Sequence, residues 1–290
     1  MKLTFAIALS FALWSFALTL PTPAKQSASV PSDELLRDAQ AGNPDSQYHL
    51  ALRYFNGKGV TKDEREGLIW LTKAAHAGHP LSQVSLGLAY RDGFYGVAVN
   101  ADTALQWIRK SADAGDAHGQ SELGFMYENG IGLQTNEVEA VRLYTLAANQ
   151  GLAIAQFDLA YMYASGKGTP PNPEEAIKLY EKAAIFVPTA RTNLATLYFQ
   201  GKGVPRDPIK AYQWGLLAVS AQFERVLTED PPVTDNRLGH CLLNVKQIAK
   251  GMSKRDKNEG RDLATQWIKS HAAQLGREPE HFSGAIAGIK

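Results

Sequence analysis

The chain has 290 residues, 44% of them hydrophobic and 20% charged, with 30 Lys+Arg against 29 Asp+Glu and a single cysteine. That balance excludes the basic excess of a nucleic-acid binder. One thiol excludes an internal disulfide, so apolar burial has to hold the fold.

The first 24 residues stand apart. Lys2 gives a positive start, Leu3 to Leu20 is almost wholly apolar, and Pro21-Thr22-Pro23-Ala24 leads into a polar stretch from Lys25 to Ser32. This is the order of a secretory signal, with cleavage expected after Ala24. The other reading is an uncleaved anchor, since an apolar run of 18 residues sits at the lower limit for a bilayer span. No second membrane segment follows, so no stable span is expected once the signal is removed. No cysteine follows the apolar run, which argues against a lipid anchor, and no Asn-x-Ser/Thr site occurs. These features point to a bacterial periplasmic or secreted setting.

Residues 25–43 read as a linker and a capping helix. Asp33 to Gly42 resembles an orphan second helix of the repeat described next, because Ala39 and Gly42 precede Ala75 and Gly78 by 36 residues. Residues 44–221 are self-similar. Glycine-bearing loops begin at Gly57, Gly93, Gly130, Gly166 and Gly201, spaced by 36, 37, 36 and 35 residues. Three residues before each stands a tyrosine: Tyr54, Tyr90, Tyr127, Tyr163 and Tyr198. Seven before each stands a leucine: Leu50, Leu86, Leu123, Leu159 and Leu194. Each copy predicts a helix pair. Leu50 and Tyr54 share one face of the first helix, and Gly67, Trp70, Ala74 and Ala75 one face of the second. Small residues let facing helices approach closely, and Trp70, Trp107 and Trp214 fill the gaps. One pair cannot bury its apolar side alone, but a row of them forms a continuous core. The prediction is an all-α fold, an α/α solenoid of about five helix-turn-helix repeats. The period is lost from Ser220. Residues 222–275 are expected to form a helical C-terminal cap, from helices at Thr234 to Lys250 and Lys254 to Leu275. Residues 276–290 are expected to be a flexible tail.

No catalytic constellation, metal cluster or cofactor loop is legible, so no enzyme activity, metal or cofactor is expected. The Gly-Lys-Gly loops lack the Gly-x4-Gly-Lys-Ser/Thr spacing of a phosphate loop and recur with the repeat. His76 and His79 are three residues apart, but Gly78 between them ends the helix, and a loop role outweighs a metal site. Cys241 beside Leu242 and Leu243 reads as a small core residue.

The residues Leu86-Gly87 with Tyr90, Leu123-Gly124 with Tyr127, Gly130-Ile131-Gly132, Ala104 with Trp107, and Ala147-Ala148 with Gly151 resemble Sel1-like repeats, a branch of the tetratricopeptide superfamily. The resemblance covers about Ala41 to Ala221, and Met252 to Trp267 resembles the family's capping helix. Copy two departs with Gly93-Phe94-Tyr95-Gly96, and copy four ends at Pro188 without the stopping glycine, which makes the junction of copies four and five the place to look for altered packing. A cysteine-rich subgroup linked to β-lactam binding closes each repeat with a disulfide, which Cys241 alone cannot do. The resemblance implies a protein-interaction scaffold or adaptor, serving as a regulator of an envelope signalling or polysaccharide-export system. Alternatives are a protein that binds or modifies cell-wall polymer, and a secreted effector acting on host proteins.

In such stacks the first helices line the concave side. One step before each repeat leucine stand His49, Ser85, Glu122, Asp158 and Asn193. Just before each loop glycine stand Asn56, Asp92, Asn129, Ser165 and Gln200, seven residues on and so on the same face. These rows border a groove able to hydrogen-bond a partner protein with an extended or basic segment, Glu122 and Asp158 making its middle acidic; the plainer reading is a pair of solvated faces. Met126, Met162 and Leu197 would add adaptable apolar contacts or belong to the core.

Overall fold

The computed structural model describes residues 33–228 and 237–275, all helix, turn or coil without a strand. The proposed signal segment and tail lie outside these residues. Thirteen helices follow in order among the described residues: α1 (Asp33–Gln40), α2 (Pro44–Asn56), α3 (Glu64–His76), α4 (Pro80–Asp92), α5 (Ala101–Asp113), α6 (Ala117–Asn129), α7 (Glu137–Asn149), α8 (Ala153–Ser165), α9 (Pro173–Ala183), α10 (Pro188–Gln200), α11 (Pro208–Thr228), α12 (Arg237–Ala249) and α13 (Lys254–Leu275). Helices α2 to α11 form five pairs, each helix packed on its sequence neighbours, and α12 and α13 both pack on α11.

Local chemistry sets the boundaries. The first helices end at Gly57, Gly93, Gly130, Gly166 and Gly201, all in the left-handed region that glycine enters at little cost. Most second helices begin at a capping side chain: Asp63 accepts from the Arg65 and Glu66 N–H groups, and Asn100, Asn136 and Asn172 accept from the third N–H onward. The capping residue's own N–H donates back to the repeat tyrosine's carbonyl, as in Asn100 N to Tyr90 O at 2.8 Å and Asn136 N to Tyr127 O at 2.9 Å. The turn is thereby closed by hydrogen bonds that recur in every copy.

The second loop glycine has a different task. A Cβ on Gly168 would collide with the carbonyl of Glu137, which opens the preceding repeat's second helix, and one on Gly203 would collide with Pro173 in the same way. Copy two inserts a residue, and Tyr95 takes φ 58° and ψ 25° there. Its ring stacks on Phe55 of copy one with centroids 3.9 Å apart.

At most of the junctions along the stack, the one with the capping helix included, a buried or half-buried polar side chain three residues before the repeat leucine bonds the preceding helix. Gln47 Nε2 donates to Ala39 O at 3.1 Å, Gln83 Nε2 to Ala75 O at 3.2 Å, and Gln156 Nε2 to Ala148 O at 3.4 Å. The acceptors are last-turn carbonyls that a helix cannot satisfy itself. At the fourth junction, where the stopping glycine is missing and α9 has only 11 residues, Arg191 replaces the glutamine. It is 2% exposed. It donates to Ala184 O at 2.8 Å, Leu217 O at 3.1 Å and Ile185 O at 3.3 Å, and its guanidinium lies 4.8 Å from the Trp267 ring on α13. Burial draws it down to about 10, so it stays charged at neutral pH.

Candidate functional site

The first helices α2, α4, α6, α8 and α10 are all 13 residues long and begin six residues before their repeat leucine, so equal positions along them correspond. Of the leucine-adjacent row, His49 is exposed, while Ser85, Glu122, Asp158 and Asn193 are half-buried. Neighbouring tyrosines explain part of this. Tyr48 lies beside Ser85, and Tyr180 on α9 beside Asn193. The loop-adjacent row, Asn56, Asp92, Asn129, Ser165 and Gln200, is exposed throughout. Three of its members turn back on their own helix: Asn56 Nδ2 to Leu52 O and Asn129 Nδ2 to Phe125 O, both 2.9 Å, and Ser165 Oγ to Tyr161 O, 2.7 Å. The two asparagines thus spend one donor each inward and keep the side-chain oxygen and the second N–H for the groove.

Between the two rows runs a third that the leucine and glycine spacings did not single out. Leu52, Leu88, Phe125, Tyr161 and Thr196 lie three residues past the first row and four before the second. Tyr161 and Thr196 are exposed and the others half-buried, so the face carries an apolar stripe with polar borders. Its signal in the sequence is present at i+3, but it sits one position from Met126 and Met162. Those two are 0% exposed and Leu197 is 8% exposed, which places all three in the core instead of the groove.

Charges are placed differently from the expected acidic middle. Arg91 of α4 reaches α6, its Nη1 2.6 Å from Glu122 Oε2, while its Nε and Nη2 contact Asp92 at 2.9 and 2.8 Å. Glu122 is therefore neutralised within the protein, and Arg91 covers the Phe125 ring at 5.3 Å. Burial pushes Glu122 upward, opposed by Arg91. Glu128, also on α6, accepts from Tyr144 Oη and Lys167 Nζ, both at 3.1 Å. Asp158 has no hydrogen-bond or ion-pair partner among the described residues. Burial, then the charges of Glu128 and Glu122, push its carboxyl well above the usual range. Arg91 serves two carboxylates, Glu122 and Asp92, so the middle of the face keeps an acidic excess, within which Asp158 is the carboxyl that no cation pairs. Arg91 and Glu128 were missed because they lie at a position that holds no common residue type across the copies: Phe55, Arg91, Glu128, Ala164, Phe199.

The other expected sites resolve simply. His79 caps α4, its Nδ1 accepting from Ser82 N at 3.1 Å, and His76 meets Trp107 edge-on at 4.9 Å. Cys241 is 7% exposed against the core. No group of three metal-ligating side chains occurs among the described residues, and none of their helices is long and apolar enough to cross a membrane.

A row of helix pairs that presents one continuous face of first helices is the architecture of a helical-repeat interaction protein. The Sel1 repeat matches residues 44–79, 80–116, 117–152, 153–185 and 188–222, and the chain belongs to that family. Sel1 repeat proteins are generally non-catalytic scaffolds for protein–protein interaction. Similar solved structures include a Sel1 repeat protein from Oxalobacter formigenes, at 26% identity and TM-score 0.61 over 83% of this chain and 64% of that one. A protective antigen of uropathogenic Escherichia coli strains displaying an SLR fold aligns at 23% identity and TM-score 0.62, over 89% of this chain and 64% of that one. The chain thus spans less than two thirds of either structure. No curated protein matches.

Proposed function

We propose that this chain is an exported scaffold whose first-helix face holds an extended segment of a partner protein. The observation that carries the reading is the stripe of Leu52, Leu88, Phe125 and Tyr161, half-buried or exposed, with a polar row on each side across successive repeats. Apolar side chains that remain open to solvent in a continuous line, rimmed by polar groups, are the composition of a protein interface. An extended segment suits a face that repeats along one axis, because its alternate side chains can meet alternate repeats. Export is supported by the charged start, apolar run and small-residue exit of residues 1–24. The scaffold then serves in the bacterial envelope or beyond it, with regulation of a signalling or polysaccharide-export system as its role.

Two measurements test this. A reporter active only after export, fused behind residues 1–24, should be active, and an inactive fusion removes the envelope setting. The chain from Lys25, used for capture from an envelope extract, should enrich a partner that Phe125→Ala/Tyr161→Ala reduces at least tenfold at unchanged helical circular dichroism. A partner held equally by both proteins would place binding on another face.

A further inference from the structure

The first-helix face contains a fitted seat for one arginine, and the seat is built twice. In the filled copy, Arg91 is the twelfth residue of α4. Its guanidinium is held by Glu122, the sixth residue of α6, by Asp92, the last of α4, and by the ring of Phe125, the ninth of α6. Two carboxylates and an aromatic face around a planar guanidinium make a specific arrangement, because the fork donates parallel hydrogen bonds and the ring takes the flat side.

One repeat further on, the same positions of α6 and α8 supply the same walls. Asp158, the sixth residue of α8, stands for Glu122; Tyr161, the ninth, for Phe125; and Asn129, the last of α6, for Asp92. The twelfth residue of α6, which should be the arginine, is Glu128. A carboxylate therefore occupies the place of the cation. Both oxygens of Glu128 are taken, by Tyr144 Oη and by Lys167 Nζ. Asp158 is left with no counter-charge and no hydrogen bond from any described residue, half-buried one helical turn from the exposed Tyr161.

We propose that this second seat receives an arginine side chain from the extended segment of the partner, its guanidinium against Asp158 and Asn129 and over Tyr161. The inference rests on the reading of the first-helix face as a peptide groove and gives that groove its specificity. Arginine is favoured over lysine because the occupant of the matching seat is an arginine and the walls suit a flat fork. The electrostatics agree. Around Asp158 stand Glu122 and Glu128 from α6, Tyr144 from α7 and Tyr180 from α9, none of them a cation. Arg91 is bound to Glu122, and Lys167 is bound to Glu128 with its Nζ 5.0 Å from the Tyr161 ring, which is still 41% exposed and so leaves area for a second cation.

The test is selection of random nonapeptides displayed on phage against residues 25–290, followed by titration of the synthetic peptides. The expected result is a set of peptides sharing an arginine. Replacing it with alanine, and Asp158→Asn in the protein, should each weaken binding at least tenfold, the two together no more than either alone. Glu128→Arg supplies the cation from within and should abolish binding. Peptides that are lost on Phe125→Ala/Tyr161→Ala but indifferent to Asp158→Asn overturn the arginine seat and leave the groove standing. Peptides that hold equally well with lysine overturn the preference for arginine. Peptides untouched by the aromatic double variant refute the groove, and the seat with it. The melting temperature of each variant separates lost binding from lost folding.

Discussion

Asp158 makes the free protein less stable than its own fold allows. Its carboxyl holds its proton to higher pH in the folded state than in the unfolded chain, chiefly through burial. Between those two pKa values the folded state binds more protons, so stability falls as pH rises through the window and the full penalty applies above the folded pKa. Asp158→Asn keeps the shape and removes the charge. The variant should melt above the parent at pH 8, by about 1.4 kcal/mol for each tenfold change in proton affinity, or roughly 3 °C in Tm at this size. The gain should shrink toward pH 4, close to the carboxyl's ordinary value of 3.8, where the folded parent already carries the proton. Calorimetry at pH 4, 6 and 8 measures it, and a gain independent of pH would mean that burial of the charge is not its source. The sequence showed Asp158 and Glu122 as equals, both one step before a repeat leucine. It did not show that Arg91, 31 residues from Glu122, neutralises one of them only. A salt bridge between repeats depends on the stagger of adjacent helices, which residue spacing does not reveal.

At the level of elements, the helix pairs were legible because most of their boundaries have a local cause: a glycine in the left-handed region, a capping asparagine or aspartate, a proline in the first turn. The junctions were not. Gln47, Gln83, Gln120 and Gln156 recur in register, yet a glutamine among apolar periodicities reads as a surface residue. Only the structure shows that three of them donate to carbonyls of the preceding helix, while Gln120 accepts from Gln150 at 2.8 Å instead. The departure noted at copy four finds its reason in the same register. Without the glycine the last turn of α9 opens, and an arginine spans what a glutamine spans elsewhere while continuing to Leu217 and Trp267. Arg191→Ala should cost about 3 kcal/mol, because buried carbonyls lose charged donors. Arg191→Gln should restore the bond to Ala184 while losing the contacts with α11 and α13, giving a smaller loss and a change in Trp267 fluorescence. Equal losses in the two variants would contradict a glutamine-like role for the first of its three bonds.

Across the whole molecule, stability is a chain of nearest-neighbour couplings, with no element touching the far end. The apolar clusters follow that plan: one spans Ala39 to Trp107, one Ala104 to Leu143, and the largest runs from Ala140 to Ile268. The cap belongs to this last cluster. Val245 and Ile248 of α12 lie over Gly215, and Gly260 of α13 packs against Tyr212, where a Cβ would sit 3.0 Å from the ring. Trp214 and Trp267 meet edge to face at 5.8 Å. The cap thus covers the apolar end of the fifth repeat as a sixth repeat would. Ending the chain at residue 228 should therefore expose Trp214 and Tyr212 and remove the Trp267 face that Arg191 rests on. In a globular domain such a loss would be felt everywhere. Here it should decay along the stack: hydrogen exchange in α9 to α11 should accelerate by an order of magnitude or more, while α2 to α5 keep their protection. Peptide binding that needs Phe125 and Tyr161 should then weaken only as far as the fraying reaches α8. Uniform loss of protection from α2 to α11 would show that the repeats fold as one cooperative unit, and the groove could then no longer be read repeat by repeat.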